Sequence, residues 1–330
     1  MLEIKDYGPY IGDNNYIQDL NETIRPYINQ RRCDGDMTSS DGVKLHYVVC
    51  KADNEIAAIT IFHGKGEFFE KLEELVYTFL KHGYSVFFLE QRGFARSDRL
   101  TDKSDMIHVN SYDEYVSDQW EFFWKVVMKQ AKSDIKFMYA HSMGGLVGAR
   151  FMEVHPQCYR AAVLSSPMLA LKYNIPEFLV AGLTNLAHWF HKGDRFATGQ
   201  HGYAPYQYNP LLMQSKPRYE EMYKLREENH PFQTAGVSFD WIRASRICTN
   251  EMFDEAEKVC VPVLLCQALK DETVDNLAQH AFCSLARDVM MVQFQEAGHE
   301  IYAANEEERN LYFDWLLSFY EDNYKKLKKG

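Results

Sequence analysis

Short apolar runs alternate with longer segments of helical periodicity along most of the chain. The short runs are rich in β-branched and aromatic residues, which predicts buried strands. Apolar positions three and four residues apart in the longer segments predict amphipathic helices. The predicted strands cover residues 44–49, 57–62, 84–89, 135–139, 161–165, 261–266 and 289–294, and the predicted helices include 68–81, 112–131, 277–286 and 306–326. Strands that alternate with helices form a mostly parallel sheet covered on both faces, so the predicted fold class is α/β.

This alternation is interrupted in the second half of the chain. From 168 to 256 the sequence has long helical patterns and a loop rich in Gly, Tyr and Pro, but no convincing strand. An insertion between core strands overhangs the carboxyl edge of the sheet, where open α/β sheets bind ligands. We therefore expect a helical cap over 168–256, a core over 41–167 and 257–330, and a polar leader over 1–40 that packs on the outside of the core.

One predicted strand leads directly into a turn of small residues and then a helix. The turn is residues 140–145 (AHSMGG). Strand, tight turn and helix in this order raise a serine hydroxyl above the sheet, as in the nucleophile elbow of α/β-hydrolases. Ala140 stands where the usual pattern has its first glycine, and alanine is small enough for strand and helix to approach closely. The alternative is an ordinary glycine-rich turn capped by Ser142.

A serine hydroxyl is a weak nucleophile unless a base accepts its proton and a third group orients that base. In α/β-hydrolases the acid and then the histidine follow the serine along the chain. His299 follows the last predicted strand, on a loop that could return over Ser142; the alternative is an ordinary surface histidine. Asp271, Glu272 and Asp275 follow the preceding strand. Asp275 suits a helix N-cap, and Asp271 is the first to leave the strand, so Asp271 is the predicted acid.

Attack of a serine on a carbonyl group also requires hydrogen-bond donors for the oxyanion of the tetrahedral intermediate. In this fold one donor is the backbone N–H that follows the nucleophile, here that of Met143. The second comes from the loop after an early strand, here residues 63–66 (HGKG), which indicates the N–H of Lys65. Glycines let such a loop approach a substrate oxygen without a clash. The alternative is a glycine turn with no catalytic role.

Composition and charge narrow the class of protein further. The formal net charge of −11 argues against a nucleic-acid surface and against adhesion to anionic membranes. The seven cysteines include no C-x-x-C pair, which is typical of reduced thiols in a cytosolic protein. The chain starts without a signal-peptide pattern, and no apolar run reaches membrane-spanning length. We expect a cytoplasmic protein whose cap makes at most a transient contact with a membrane surface.

No cofactor and no metal site are expected. The zinc motif H-E-x-x-H fails at His299, because Ala303 stands where the second histidine is required. His188 and His191 lie three residues apart but have no evident third ligand.

Several segments together resemble the bacterial lysophospholipase and monoacylglycerol lipase family of serine hydrolases. They are 63–67 (HGKGE), 90–97 (EQRGFARS), 140–145, 267–276 and 298–299 (GH), together with the cap stretches 196–199 (FATG) and 236–243 (GVSFDWIR). The resemblance spans residues 40–325. It implies the α/β-hydrolase fold, a triad of Ser142, Asp271 and His299, and a helical cap that admits one acyl chain. Ala140 and residues 269–270 (LK) depart from the usual pattern.

The working hypothesis is a serine hydrolase that cleaves carboxylic esters of single-acyl-chain lipids, either lysophospholipids or monoacylglycerols, through an acyl-enzyme. The cap adds a weaker indication, an apolar stripe that either lines an acyl-chain site or packs the cap onto the core. The stripe comprises Ile175, Phe178, Leu179, Leu183, Leu186, Ala187 and Phe190. A short-chain carboxylesterase or thioesterase is the second hypothesis. A non-catalytic binding protein on the same fold is the third.

Overall fold

The computed structural model describes residues 2–173, 175–204 and 207–329. Its strands are β1 (Arg32–Thr38), β2 (Lys44–Cys50), β3 (Ala57–Phe62), β4 (Tyr84–Leu89), β5 (Lys136–His141), β6 (Ala162–Ser165), β7 (Val263–Ala268) and β8 (Val289–Phe294). They form one eight-stranded sheet in the order β1-β2-β4-β3-β5-β6-β7-β8. β2 pairs antiparallel with β1 and with β4, and the other neighbours are parallel. The predicted mostly parallel sheet is confirmed.

The strand boundaries differ from the sequence prediction for local reasons. β7 begins at Val263 because Pro262, which precedes it, has no N–H for the ladder. β5 extends to His141, so the strand runs directly into Ser142. β1 was not predicted, because its Arg and Asp residues give it no apolar alternation. Charged side chains are usual on an edge strand, where they discourage pairing with another chain. The segment 1–40 thus contributes a strand to the sheet.

The helices are α1 (Tyr16–Asp19), α2 (Arg25–Asn29), α3 (Glu73–Lys81), α4 (Tyr112–Phe122), α5 (Met128–Gln130), α6 (Met143–Val154), α7 (Glu177–Trp189), α8 (Lys216–Glu228), α9 (Phe239–Glu255), α10 (Asn276–Leu285) and α11 (Glu306–Lys329). Capping side chains explain where α4 and α10 begin. Ser111 and Glu114 form a reciprocal capping box at α4, and the Asp275 carboxylate accepts from the N–H of Leu277 at α10. A π-helical stretch, Phe123–Val127, joins α4 to α5, where the sequence predicts one helix.

Helices cover both faces of the sheet and create two apolar layers. In β3, Ile59 and Ile61 belong to the layer that includes α3 and α11, whereas Ala58 and Phe62 belong to the layer that includes α4, α6 and α9. All six residues of β3 are buried, as expected for a strand packed on both faces. This double burial explains why the core strands read as continuous apolar runs.

The chain between β6 and β7 carries α7, α8 and α9, and its described residues form no strand beyond isolated bridges. α8 is tied to the core by buried ion pairs. Arg218 Nε lies 2.6 Å from a Glu74 oxygen on α3, and Arg25 Nη2 lies 2.9 Å from Glu221. α7 instead packs against α9, with Val180 and Thr184 as its buried side chains.

The turn between β5 and α6 requires glycine at two successive positions. A Cβ atom on Gly144 would lie 2.0 Å from the Phe62 carbonyl oxygen, and one on Gly145 would lie 2.4 Å from Pro167 Cβ. Ala140 fits because Gly148 faces it across the strand–helix contact, with 3.1 Å between the Ala140 Cβ and a Cβ built at Gly148. The small residue expected in the strand therefore has a matching small residue in the helix.

Gly144→Ala should destabilise the protein, because the new methyl group would overlap a backbone oxygen that has no room to move. We expect the free energy of unfolding in urea to fall by about 3 kcal/mol. Gly182→Ala is the control, because a Cβ there meets nothing within 4 Å. In the interior of α7 this second change should raise the free energy of unfolding by about 0.5–1 kcal/mol. Equal effects of the two substitutions would contradict the close contact.

Candidate active site

Ser142 lies at the carboxyl end of β5 in a strained backbone conformation. Its φ of 52° and ψ of −119° fall where residues with a Cβ are rarely found. Its N–H donates to the Ser165 carbonyl at 3.1 Å, and its carbonyl accepts from the N–H groups of Met168 and Gly145, each at 2.8 Å. Such strain persists only where neighbouring bonds enforce it, and it is common at functional sites.

The three residues predicted as a triad meet above this edge of the sheet. His299 Nε2 lies 2.8 Å from Ser142 Oγ, and His299 Nδ1 lies 2.6 Å from Asp271 Oδ2. The other Asp271 oxygen accepts from the N–H groups of Thr273 (2.7 Å) and Val274 (3.3 Å). Burial alone would raise the pKa of Asp271, but the positive charge that His299 can carry and these hydrogen bonds lower it below its usual value. Asp271 is thus held as a carboxylate against the imidazole.

The other two acids have different roles in the structure. Asp275 caps α10 and Glu272 is exposed to solvent, so of the three acids only Asp271 reaches His299. Lys270, beside Asp271 in the chain, forms an ion pair with Glu296.

The loop that carries Lys65 runs along Ser142. A Cβ atom on Gly64 would lie 3.1 Å from Ser142 Cβ, so only glycine permits this approach. The N–H groups of Lys65 and Met143 donate to no residue in the described part of the chain. His63 anchors the start of the loop, since its Nε2 accepts from the Gln91 N–H at 2.9 Å. Burial lowers the pKa of His63 to about 4, so this ring is neutral.

A buried charge cluster behind the serine was not predicted from the sequence. Glu67 Oε2 accepts from the Gly64 N–H at 2.6 Å, and Glu67 Oε1 accepts from the Tyr302 hydroxyl at 2.8 Å. His141 Nδ1 and Lys71 Nζ lie 3.1 and 3.3 Å from the same carboxylate. Burial would raise the pKa of Glu67, but the charges of His141 and Lys71 lower it well below the ordinary value. Glu67 therefore connects the loop of residues 63–66, the serine turn and the segment after His299.

The signal for this cluster was present in the sequence. Glu67 and Glu300 each stand directly beside a motif residue, and His141 precedes the serine. None of the three was assigned a role from the sequence, because no spacing rule connects charged residues so far apart in the chain.

The apolar stripe of the cap is also placed differently from both expectations. Six of its residues are 41–72% exposed: Ile175, Phe178, Leu179, Leu183, Leu186 and Phe190. Trp189 beside them is 73% exposed. None of these residues lines the cavity above Ser142. The stripe therefore faces solvent and neither packs the cap onto the core nor lines an acyl-chain site.

A cavity of about 700 Å³ opens above Ser142 and His299. Its walls come from residues 65–67, from α8 and from the cap segments 199–204, 207–209 and 234–236. Tyr203, Tyr208, Tyr219 and Tyr223 give it both aromatic surface and hydroxyl groups.

Among the described residues no group of histidine, cysteine and acidic side chains has the geometry of a metal site. Within the same residues no helix combines the length and apolar character needed to cross a bilayer.

A serine hydroxyl, an imidazole and a carboxylate in hydrogen-bond contact, at the carboxyl edge of this sheet, define a serine hydrolase of the α/β-hydrolase fold. The model of the Hydrolase_4 family, described as serine aminopeptidase, S33, matches residues 53–308. The chain therefore belongs to that family.

Relatives and solved structures agree with this membership. Lysophospholipase L2 of Escherichia coli K12 is 27% identical over 259 residues, which are 78% of this chain and 76% of that protein. A soluble variant of the monoglyceride lipase of Saccharomyces cerevisiae superposes with a TM-score of 0.69 at 19% identity, covering 88% of this chain and 94% of the other. The monoacylglycerol lipase of Paleococcus ferrophilus has a TM-score of 0.62 at 20% identity, covering 87% and 98%. These superpositions confirm the α/β-hydrolase fold.

Glu67→Gln should destabilise the protein in a pH-dependent way. Removing one partner of a buried ion pair leaves the other charge unpaired, which costs about 3–5 kcal/mol. A carboxyl group with a lowered pKa in the native state stabilises that state above its unfolded pKa. This contribution is lost as the pH falls through the native pKa. We therefore expect a large difference from the unsubstituted protein in urea unfolding at pH 7 and a smaller one at pH 4.

The control is Glu296→Gln, which removes an exposed carboxylate from an ion pair with Lys270. It should change the free energy of unfolding by less than about 1 kcal/mol at either pH. If Glu67→Gln behaved like this control, the cluster would have no stabilising role.

Proposed function

We propose that this protein is a serine hydrolase that cleaves carboxylic esters of single-acyl-chain lipids through an acyl-enzyme. The observation that carries the proposal is the continuous contact from Asp271 through His299 to Ser142 Oγ at 2.6 and 2.8 Å. The names of the relatives, lysophospholipase and monoglyceride lipase, support the substrate class. A cavity of about 700 Å³ has room for the reacting end of such a lipid.

In this mechanism Ser142 Oγ attacks the ester carbonyl while His299 Nε2 accepts its proton. Asp271 keeps the Nδ1 proton directed toward itself and stabilises the imidazolium that forms. The N–H groups of Lys65 and Met143 bind the oxyanion, and each such donor contributes about 3–4 kcal/mol to transition-state stabilisation. His299 then protonates the leaving alcohol. Water attacks the acyl-enzyme with His299 as base, which releases the fatty acid and restores Ser142.

Ser142→Ala should abolish both ester hydrolysis and covalent labelling by a fluorophosphonate, because both require the Ser142 oxygen. Asp271→Asn should lower kcat by about 10⁴-fold, since the amide favours the wrong tautomer of His299. Ser284→Ala on α10 is the control and should leave labelling and kcat unchanged. Persistent labelling of Ser142→Ala in a correctly folded protein would show that a different residue is the nucleophile. Absence of labelling in the unsubstituted protein would favour a non-catalytic binding protein.

A substrate panel tests the lipid assignment separately. It contains lysophosphatidylcholine, monoacylglycerols, p-nitrophenyl esters of rising chain length, an acyl thioester and an aminoacyl p-nitroanilide. We expect kcat/KM to rise with chain length from acetate to long acyl groups, because each buried methylene adds about 0.8 kcal/mol. A preference for acetate or butyrate would favour a short-chain carboxylesterase, and a preference for the thioester or the anilide would identify a thioesterase or a peptidase.

We further propose that the cap, residues 168–256, touches lipid surfaces through the exposed side of α7. Phe178 and Trp189 are 72% and 73% exposed, and large apolar side chains grouped in this way are typical of interaction surfaces. The net charge of −11 favours zwitterionic over anionic lipid. The seven free cysteines, which include no disulfide, support a reducing compartment and hence a cytoplasmic location.

Phe178→Ser and Trp189→Ser should each weaken binding to phosphatidylcholine vesicles by about tenfold, because each removes an aromatic side chain that would enter the lipid. Hydrolysis of a water-soluble p-nitrophenyl ester should be unaffected. Leu277→Ser on α10, a residue that is 76% exposed but outside the cap, should have no effect on vesicle binding. Equal losses in all three variants, measured by co-sedimentation, would contradict a specific role for α7.

A further inference from the structure

The cavity above Ser142 contains more positive than negative side chains. Its cationic residues are Lys65, Lys71 and Arg226, and its carboxylates are Glu67 and Glu300. Lys71 Nζ lies 2.6 Å from Glu300 and 3.3 Å from Glu67, so both carboxylates are engaged by one lysine. The carboxylate of Glu67 is further neutralised by His141, whose Nδ1 is 3.1 Å away. Among the described residues this leaves Lys65 and Arg226 as the cavity's cations without an ion pair, and Glu300 attracts Arg226 only from beyond ion-pair distance.

The surroundings of these two cations are well defined. Lys65 forms no ion pair or side-chain hydrogen bond within the described residues. Arg226 donates to backbone carbonyls, from Nε to Phe232 O at 3.0 Å and from Nη2 to Thr234 O.

Both cations line the same cavity as Ser142, and both lie close to the loop that passes the serine. Lys65 follows Gly64, where a Cβ atom would lie 3.1 Å from Ser142 Cβ, and Arg226 Nη2 would lie 3.6 Å from a Cβ atom on Gly66. Burial inside the cleft lowers the pKa of Lys65, and repulsion by Arg226 lowers it further, although the Lys65 side chain remains accessible to solvent in the cavity. An anion between the two would relieve this repulsion. The faces of Tyr203 and Tyr223, 5.2 and 5.8 Å from the guanidinium, help to fix its orientation.

We propose that Lys65 and Arg226 form a subsite for the phosphate of a lysophospholipid headgroup. The inference rests on the proposed function and makes it narrower. In a lysophospholipid only the glycerol carbons separate the ester from the phosphate, so a phosphate must lie within a few bonds of Ser142 when the ester is bound. Guanidinium and ammonium groups are the usual protein ligands of phosphate oxygens. A monoacylglycerol has no group to occupy this subsite.

The test compares kcat/KM for lysophosphatidylcholine and for a monoacylglycerol with the same acyl chain. Arg226→Met and Lys65→Met should each lower the ratio of the two values by about tenfold or more, because a charge-assisted hydrogen bond is lost only with the phosphate substrate. Arg226→Lys should retain part of the ratio, because lysine keeps the positive charge but lacks the planar guanidinium that can donate two parallel hydrogen bonds. Lys224→Met, which removes an exposed charge from the same helix, should leave the ratio unchanged.

A binding measurement separates this inference from the proposed function. Calorimetry on Ser142→Ala should detect sn-glycero-3-phosphocholine, and the added substitution Lys65→Met should weaken that binding by about tenfold. Tight binding of inorganic phosphate without binding of the diester would identify a free-phosphate site and overturn the headgroup assignment. Equal kcat/KM ratios in all variants would also overturn the headgroup assignment, but they would not contradict the proposed hydrolase function. Failure to hydrolyse any lipid ester would refute the proposed function, and the calorimetry would still decide whether the anion subsite exists.

Discussion

The carboxylate of Glu67 is the constraint on which the rest of the site depends. It binds the Gly64 N–H and the Tyr302 hydroxyl and faces the imidazole of His141 and the ammonium of Lys71. These partners come from separate segments of the chain, and three of those segments include or adjoin Lys65, Ser142 and His299. An ionised carboxyl group can remain buried only if such partners compensate for lost hydration. The contacts that compensate this one charge therefore connect the loop of residues 63–66, the turn at Ser142 and the segment after His299.

Sequence reasoning predicted the parts of this structure that local rules determine. The central strands of the sheet are buried on both faces. Their sequences are therefore short continuous apolar runs, and these runs identify them. The turn at Ser142 was recognisable because its glycines are required by contacts of 2.0 and 2.4 Å, which leave no room for another residue. Asp271 was preferred to Asp275 because the latter precedes a helix, and the Asp275 side chain does cap α10.

The remaining features depend on contacts that no local rule describes. β1 is an edge strand rich in charge, and only its pairing with β2 makes it a strand. The apolar stripe on α7 has helical spacing. Such periodicity indicates that one face of a helix is apolar, but it does not indicate which part of the protein, if any, covers that face. The partners of Glu67 and the lack of an ion pair for Arg226 among the described residues arise from segments far apart in the chain. Such charge balance becomes visible only when the side chains are placed in three dimensions.

Within the cap, α8 is held more firmly than α7, and this difference determines which of the two helices can move away at the lower cost. Lifting α8 would break the buried contact of 2.6 Å between Arg218 and Glu74, together with the Arg25–Glu221 pair. α7 is held to α9 by the buried side chains of Val180 and Thr184 and by two polar contacts that are more exposed, His188–Asp240 at 2.8 Å and Asn185–Arg243 at 3.1 Å. α7 is therefore the part of the cap that can move away from the core at the lower cost.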